Sequence, residues 1–303
     1  MYLSLVSIDD LSLDQINEIM TLAQEYEIVM NNVSANNNIL CRSGTENKIF
    51  CLMFFEPSTR TNLSFQTAIC KLNSKFIIYD DNNSSSKKGE SIYDTIKTLE
   101  SYCDGIIIRH PDQEFVRSCS KLTHLPIINA GNGNGEHPTQ ALLDLYTIQK
   151  YNSTSNFSIA FTGDLKNSRT VHSLVKLLDK VYNNITLYFV SCVDLMLTSE
   201  HKKNVKNCYY EVKNIDDIIS KIDVLYMTRM QKEREDIDTS YNININEDIL
   251  NKSKSNLILL HPLPRNKEIP IYLDTNKKSK YFEQVKNGVY VRMSILKLLS
   301  SRL

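Results

Sequence analysis

Runs of consecutive apolar residues alternate with amphipathic stretches along nearly all of this 303-residue chain. In the first half the runs are 48–55, 76–79, 106–108 and 126–128; in the second they are 157–162, 185–190, 224–227 and 257–260. Unbroken apolar runs of this length are what buried parallel strands require, because helices cover both of their faces. Between them, apolar residues recur at helical spacing, as in Leu63, Phe65, Ala68, Ile69 and Leu72. The alternation predicts an α/β fold of two doubly wound domains, each a mainly parallel sheet flanked by helices. His137 to Ile148 reads as a helix with Pro138 in its first turn, where a missing N–H costs nothing. It and the apolar-faced stretch 289–299 are expected to be interdomain helices. The domains would then comprise 1–136 with 288–303, and 137–287. The polar segments 80–88 and 234–246 have no apolar period and exceed ordinary connections, so they are functional loops or plain surface loops.

The end of the first run is the most informative point. Phe54-Phe55-Glu56-Pro57-Ser58-Thr59-Arg60-Thr61 joins a strand to a helix start, where the first N–H groups lack intrahelical partners and the dipole favours an anion. Ser58, Thr59 and Thr61 add hydroxyl donors, and Arg60 adds a guanidinium fork matched to phosphate. Two readings are open here: a phosphate site, or an ordinary N-cap that satisfies its own helix.

Composition narrows the function classes. Lys plus Arg and Asp plus Glu balance at 35 each, so no overall field draws in nucleic acid or an anionic membrane surface. Seven scattered cysteines without a C-x-x-C pair argue against a disulfide framework and against a zinc site. No basic leader precedes an apolar run, and no stretch approaches the roughly 20 apolar residues that span a bilayer. A cytoplasmic protein without metal or cofactor is expected. The eight glycines are about a third of the usual share of about 7%, yet Gly131, Gly133 and Gly135 fall within five residues. That spacing does not fit G-x-G-x-x-G, since Glu136 occupies the third position, and no nucleoside-triphosphate loop occurs.

The remaining candidates all follow strand-like runs, and ligands of open α/β sheets bind beyond the carboxyl ends of strands. Arg109-His110-Pro111 follows 106–108, and His137-Pro138-Thr139-Gln140 follows the glycine loop. Arg169 to His172 follows 157–162, Arg229, Gln231 and Arg234 follow 224–227, and His261-Pro262-Leu263-Pro264-Arg265 follows 257–260. Each has a bland reading as a surface fork or a cap. Together they form a set of donors and cations without a nucleophile, suited to binding anionic substrates and stabilising developing negative charge. Chemistry would come from placing two reactive substrates together.

In these motifs the chain resembles the aspartate/ornithine transcarbamylase family over essentially its whole length. Phe55-Glu56-Pro57-Ser58-Thr59-Arg60-Thr61 and His137-Pro138-Thr139-Gln140 are similar to the family's carbamoyl-phosphate signatures. Lys87-Lys88-Gly89-Glu90, Thr228-Arg229-Met230-Gln231 and His261-Pro262-Leu263-Pro264-Arg265 resemble the aspartate branch, whereas the Ser-Met-Gly and His-Cys-Leu-Pro patterns of the ornithine branch are missing. The resemblance implies that Ser58, Thr59, Arg60 and Thr61 hold the phosphate, and that Arg109, His137, Gln140 and Leu263 meet the carbamoyl end. It implies Arg60, Thr61, Arg109, His137 and Lys88 as the catalytic set, with Ser84 and Lys88 supplied by a neighbouring subunit of a homotrimer with shared sites. Lys88, Arg169, Arg229, Gln231, Leu263 and Pro264 would bind L-aspartate, with Leu263-Pro264 cis, and Glu56 and Arg234 would be supporting ion-pair partners. The implied reaction is carbamoyl transfer from carbamoyl phosphate to the α-amine of L-aspartate, in pyrimidine synthesis. Separate regulatory chains are compatible with it. Asn62 departs from the pattern where a second Arg often follows the threonine, and 269–280 matches no familiar pattern. A transcarbamylase for another amine and a catalytically dead homologue are the competing expectations.

Overall fold

The computed structural model describes residues 4–32, 44–230 and 243–300. The chain divides into two compact units, Met1–Leu143 with Lys286–Leu303 and Asp144–Val285. In chain order the first unit runs α1 (Leu13–Asn31), β1 (Ile49–Phe54), α2 (Thr59–Lys71), β2 (Lys75–Tyr79), α3 (Ile92–Glu100), β3 (Gly105–His110), α4 (Phe115–Ser120) and β4 (Ile127–Asn132). Helix α5 (Pro138–Tyr151) leads out of it. The second unit runs β5 (Ser158–Thr162), α6 (Arg169–Val181), β6 (Thr186–Val190), α7 (Ser199–Lys202), β7 (Cys208–Val212), β8 (Val224–Met227), α8 (Glu247–Lys252) and β9 (Ile258–Leu260). Helix α9 (Tyr281–Ser300) returns the chain to the first. Both unit boundaries therefore fall inside helices, as expected of interdomain connectors.

The first sheet has the order β2-β1-β3-β4 and the second β7-β6-β5-β8-β9, with every neighbouring pair parallel. In the first, the chain steps outward from β1 to β2 and then crosses back to β3. In the second it runs outward through β5, β6 and β7, then crosses back to β8. Each sheet thus has one place where neighbouring strands lead their following loops apart, and such switch points open the crevice where ligands bind. The last register pairs there are Phe54 with Arg109, and Thr162 with Met227.

Eight of the nine strands among the described residues coincide with the apolar runs. Strand β7 does not, because its side chains at 208–211 are exposed and an edge strand of this kind needs no buried run. What holds it is the β6 ladder and a cross-strand pair, the rings of Tyr188 and Tyr210 stacking at 5.5 Å. Under each sheet lies an apolar core. One gathers Met53, Ile96, Ile106, Ile108 and Val116, the other Ile219, Ile222, Leu225, Met227 and Leu259. Each such buried side chain contributes about 1.5–3 kcal/mol.

Two glycines let the strand ends close on one another. At Gly163 φ is +108° and an added Cβ would stand 2.2 Å from the Thr228 carbonyl oxygen. At Gly133 φ is +50° and a Cβ would stand 2.2 Å from the Pro111 oxygen. Both loops border candidate residues: Thr228 precedes Arg229, and Pro111 follows Arg109-His110.

Candidate active site

The β1–α2 junction bears on the two readings of Ser58. Ser58 sits at the N-cap of α2 with extended backbone, yet its side chain makes no cap hydrogen bond, and no acidic residue occupies the first turn. An ordinary cap looks different in this same chain: Ser12 of α1 accepts from the Gln15 N–H, and Gln15 reciprocates. The Ser58 hydroxyl instead accepts from Arg109 Nη1 at 3.3 Å, across the switch point between β1 and β3. Thr59 and Arg60 are exposed beside it on the first turn of this 13-residue helix, the end at which the dipole favours an anion.

Arg109 is oriented from its other side by Glu56, whose Oε2 lies 3.2 Å from Nε. Thr61, one turn into α2, is buried with Oγ1 at 3.4 Å from Nε2 of His137, itself 4% exposed just before α5. Gln140 follows on the first turn of that helix and is buried too. Ser58, Thr61, Arg109 and His137 are thereby drawn together by hydrogen bonds within one unit. Ser84 and Lys88 are not joined to them. Among the described residues Ser84 bonds within its own loop and to Tyr79, accepting from the Tyr79 hydroxyl at 3.0 Å, and Lys88 is exposed at the end of a short 3-10 turn closed by Gly89 with φ 92°.

His110, grouped by position with the strand-end cations, belongs to a different environment. Its ring stacks on Phe115 at 3.7 Å and meets the edge of Phe55 at 4.9 Å. Nδ1 accepts from the Asp112 N–H at 3.0 Å. Burial lowers its pKa and outweighs the nearby acids Asp112, Glu56 and Asp81. A neutral, wedged imidazole buttresses the strand end rather than adding positive charge to it.

In the second unit the same logic recurs. Arg169 begins α6, whose N-cap Ser168 likewise makes no cap bond and whose first turn has no acid. Arg229 follows β8, the strand across the switch point from β5, and is half-buried. Gln231 and Arg234 lie outside the described residues. The Leu263–Pro264 bond is cis, and Leu263 has φ 53°. The loop is held by His261: its Nδ1 accepts from the Leu263 N–H at 2.8 Å, so Nε2 carries the proton and donates to Glu268 at 3.0 Å. Burial would raise the Glu268 pKa, but the bonds from His261 and from the Glu268 and Asn266 N–H groups win and lower it. Arg265 is committed elsewhere, to a two-pronged pair with Asp274. The unpatterned 269–280 stretch supplies that Asp274 on a 3-10 turn (Ile271–Thr275) and buries Ile269 and Leu273. It anchors the loop end.

Sequence reasoning passed over four buried polar residues. Arg292, 3% exposed on α9, donates to Ser64 Oγ of α2 at 2.9 Å and to Thr139 Oγ1 of α5 at 3.4 Å, with its guanidinium 5.0 Å from the Phe65 ring centroid. Tyr226, Asp144 and Gln284 form a second buried group. The available signal was a polar residue inside an otherwise apolar helical face or, for Tyr226, strand run, a position that polar groups occupy only with partners. Among the described residues no cluster of His, Cys, Asp and Glu is arranged to hold a metal ion.

These features define a two-unit α/β protein with donors and cations at its switch points, and the chain belongs to the aspartate/ornithine carbamoyltransferase family. The family's carbamoyl-phosphate-binding domain matches residues 4–150, and its Asp/Orn-binding domain matches residues 155–299. The aspartate carbamoyltransferase catalytic subunit of Methanobrevibacter smithii is 45% identical, covering 98% of this chain and 94% of its own length. The catalytic subunit of the Methanocaldococcus jannaschii enzyme superposes with a TM-score of 0.88 at 40% identity, covering 99% of this chain and 98% of that one. Aspartate transcarbamoylase of Trypanosoma cruzi, crystallised with carbamoyl phosphate, gives 0.90 at 34% identity over 97% and 94% of the two chains.

Proposed function

We propose that this chain is an aspartate carbamoyltransferase, transferring the carbamoyl group of carbamoyl phosphate to L-aspartate and giving N-carbamoyl-L-aspartate and phosphate, an early step of pyrimidine synthesis. The observation that carries the reading is the uncapped start of α2, with Ser58 turned to Arg109 instead of to its own helix. In this reading the α2 N–H groups, Ser58, Thr59, Arg60 and Thr61 receive the phosphate. Arg109, Thr61 and His137 donate to the carbonyl oxygen, and Gln140 and the Leu263 carbonyl orient the carbamoyl amine. Arg169 and Arg229, with Gln231, take the two carboxylates of aspartate, and Pro264 shapes the loop beside them.

The uncharged α-amine attacks the carbamoyl carbon and an oxyanion develops among the three donors. The C–O bond to phosphate then breaks, its electron pair leaves with the phosphate, and that group takes up the proton lost by the amine. Positioning the two substrates and stabilising the oxyanion supply the catalysis. Ser84 and Lys88 complete the site of a neighbouring subunit in a homotrimer. Their own-loop bonding and exposure agree with a role outside their own chain's cluster. The protein is assigned to the cytoplasm, and separate regulatory chains are compatible with the assembly.

The test is a product assay with carbamoyl phosphate and either aspartate or ornithine, on the parent and on Arg109→Ala. Carbamoyl-aspartate is the expected product. Loss of one oxyanion donor is expected to reduce kcat by about 10²–10³. Carbamoyl-ornithine as the main product, or near-parental turnover in the variant, would refute the assignment. Native mass measurement addresses the trimer.

A further inference from the structure

We propose that Gln284, on α9, is a positioning residue for the 261–265 loop and for the strand end that presents Arg229. It is 1% exposed. Its Nε2 donates to Asp144 Oδ1 at 2.6 Å, and its Oε1 accepts from the His261 backbone N–H at 3.0 Å. Chemistry fixes this orientation. With the amide turned over, its oxygen would face a carboxylate and its NH₂ would face an N–H, so both contacts would be repulsive.

Asp144 is fully buried on α5 and also accepts from the Tyr226 hydroxyl at 2.7 Å. Burial first, and then the Asp144 charge, hold the Tyr226 pKa well above its ordinary value, so the hydroxyl remains a donor. Tyr226 lies on β8, three residues before Arg229. His261 begins the loop and sets Leu263 through its own ring. One continuous buried chain, Tyr226 to Asp144 to Gln284 to His261 to Leu263, therefore ties β8 to the Leu263–Pro264 turn through the two helices that cross between units. No member carries out chemistry in the proposed reaction. Every link but the half-buried last one lies in a dry interior, where an unmade hydrogen bond costs its full desolvation, so the two aspartate-binding segments are held in register.

This inference rests on the reading of Arg229 and Leu263 as aspartate ligands. Gln284→Met keeps length and volume while removing both bonds. Steady-state kinetics with both substrates should show KM for aspartate raised about tenfold or more, the size expected for a lost hydrogen bond to a charged group. KM for carbamoyl phosphate should rise by a smaller factor, because Leu263 is its one proposed ligand on this loop. Tyr226→Phe should raise KM for aspartate by a smaller factor, and it decides the matter if Gln284→Met does not fold by circular dichroism. A purely structural role would lower the unfolding temperature and leave KM for aspartate within twofold in the folded variants, and that result would overturn the proposal. Arg229→Ala is the control. If it also leaves KM for aspartate unchanged, the aspartate-site reading fails; if it raises KM and Gln284→Met does not, the positioning role alone fails.

Discussion

Arg292 offers a test of what a buried cation does beneath the proposed phosphate site. Replacing it with Met keeps an unbranched apolar side chain in the cavity and removes donation to Ser64 Oγ, to Thr139 Oγ1 and to the Gly288 carbonyl, together with contact with the Phe65 ring. Hydrogen bonds from a charged donor contribute about 1.5–3 kcal/mol each, and a desolvated cation over an aromatic ring about 2 kcal/mol. Against them stands the cost of keeping a guanidinium out of water, several kcal/mol, which Met relieves. The freed Ser64 hydroxyl can turn toward the helix carbonyl of Arg60 one turn back, which lessens its penalty. The net expectation is a loss of about 2–3 kcal/mol, or about 4–12 °C in unfolding temperature at the sensitivity of a domain this size. Because Ser64 lies on α2 and Thr139 on α5, the same change should loosen the Ser58–Thr61 cradle relative to His137, and KM for carbamoyl phosphate should rise with that for aspartate unaffected. Thermal melts followed by circular dichroism, with kinetics on both substrates, measure the two effects. A fall below about 2 °C would mean that desolvation cancels the bonds. A normal KM for carbamoyl phosphate would refute the link between α9 and the cradle.

Two further outcomes follow from single residues. Ser58→Ala loses no cap bond and only the long, part-buried contact from Arg109, so it should cost less stability than Ser12→Ala while raising KM for carbamoyl phosphate; Ser12→Ala, which breaks a made capping box, should cost about 1 kcal/mol and leave kinetics alone. Paired urea titrations and assays distinguish them, and equal stability losses would contradict the reading of Ser58. His201, stacked at 3.7 Å on His172, has its pKa lowered from 6.5 to about 4 by burial, with His172 and Lys176 adding to it. The folded state thus keeps this ring neutral while the unfolded chain protonates it below pH 6.5. Its contribution to stability is fully present above pH 6.5 and is lost as pH falls toward 4. Urea midpoints should decline across that window in the parent and decline less in His201→Phe; parallel curves would exclude the effect.

Much of this protein is determined by its sequence alone. Seven strands are legible because a parallel strand buried on both faces must be apolar throughout, the edge strand β2 is legible from its apolar run although it is only half-buried, and the helices are legible from their spacing. The cradle residues and the family signatures are legible because chemistry at a strand end confines residue types to short contiguous stretches. Tertiary structure decided the rest. Strand β7 is held by a ladder and a tyrosine pair, neither of which leaves an apolar run. The sheet order, with switch points between β1 and β3 and between β5 and β8, depends on pairings between residues far apart in the chain. Whether Ser58 caps its helix or turns to Arg109 depends on a residue 51 positions away, and only the fold brings that guanidinium within reach. The buried partnerships of Arg292 and of Asp144, Tyr226 and Gln284 were hidden for the same reason. A motif records which groups are available along the chain, but a hydrogen bond between distant segments exists only once packing has excluded water and set the two groups about 3 Å apart.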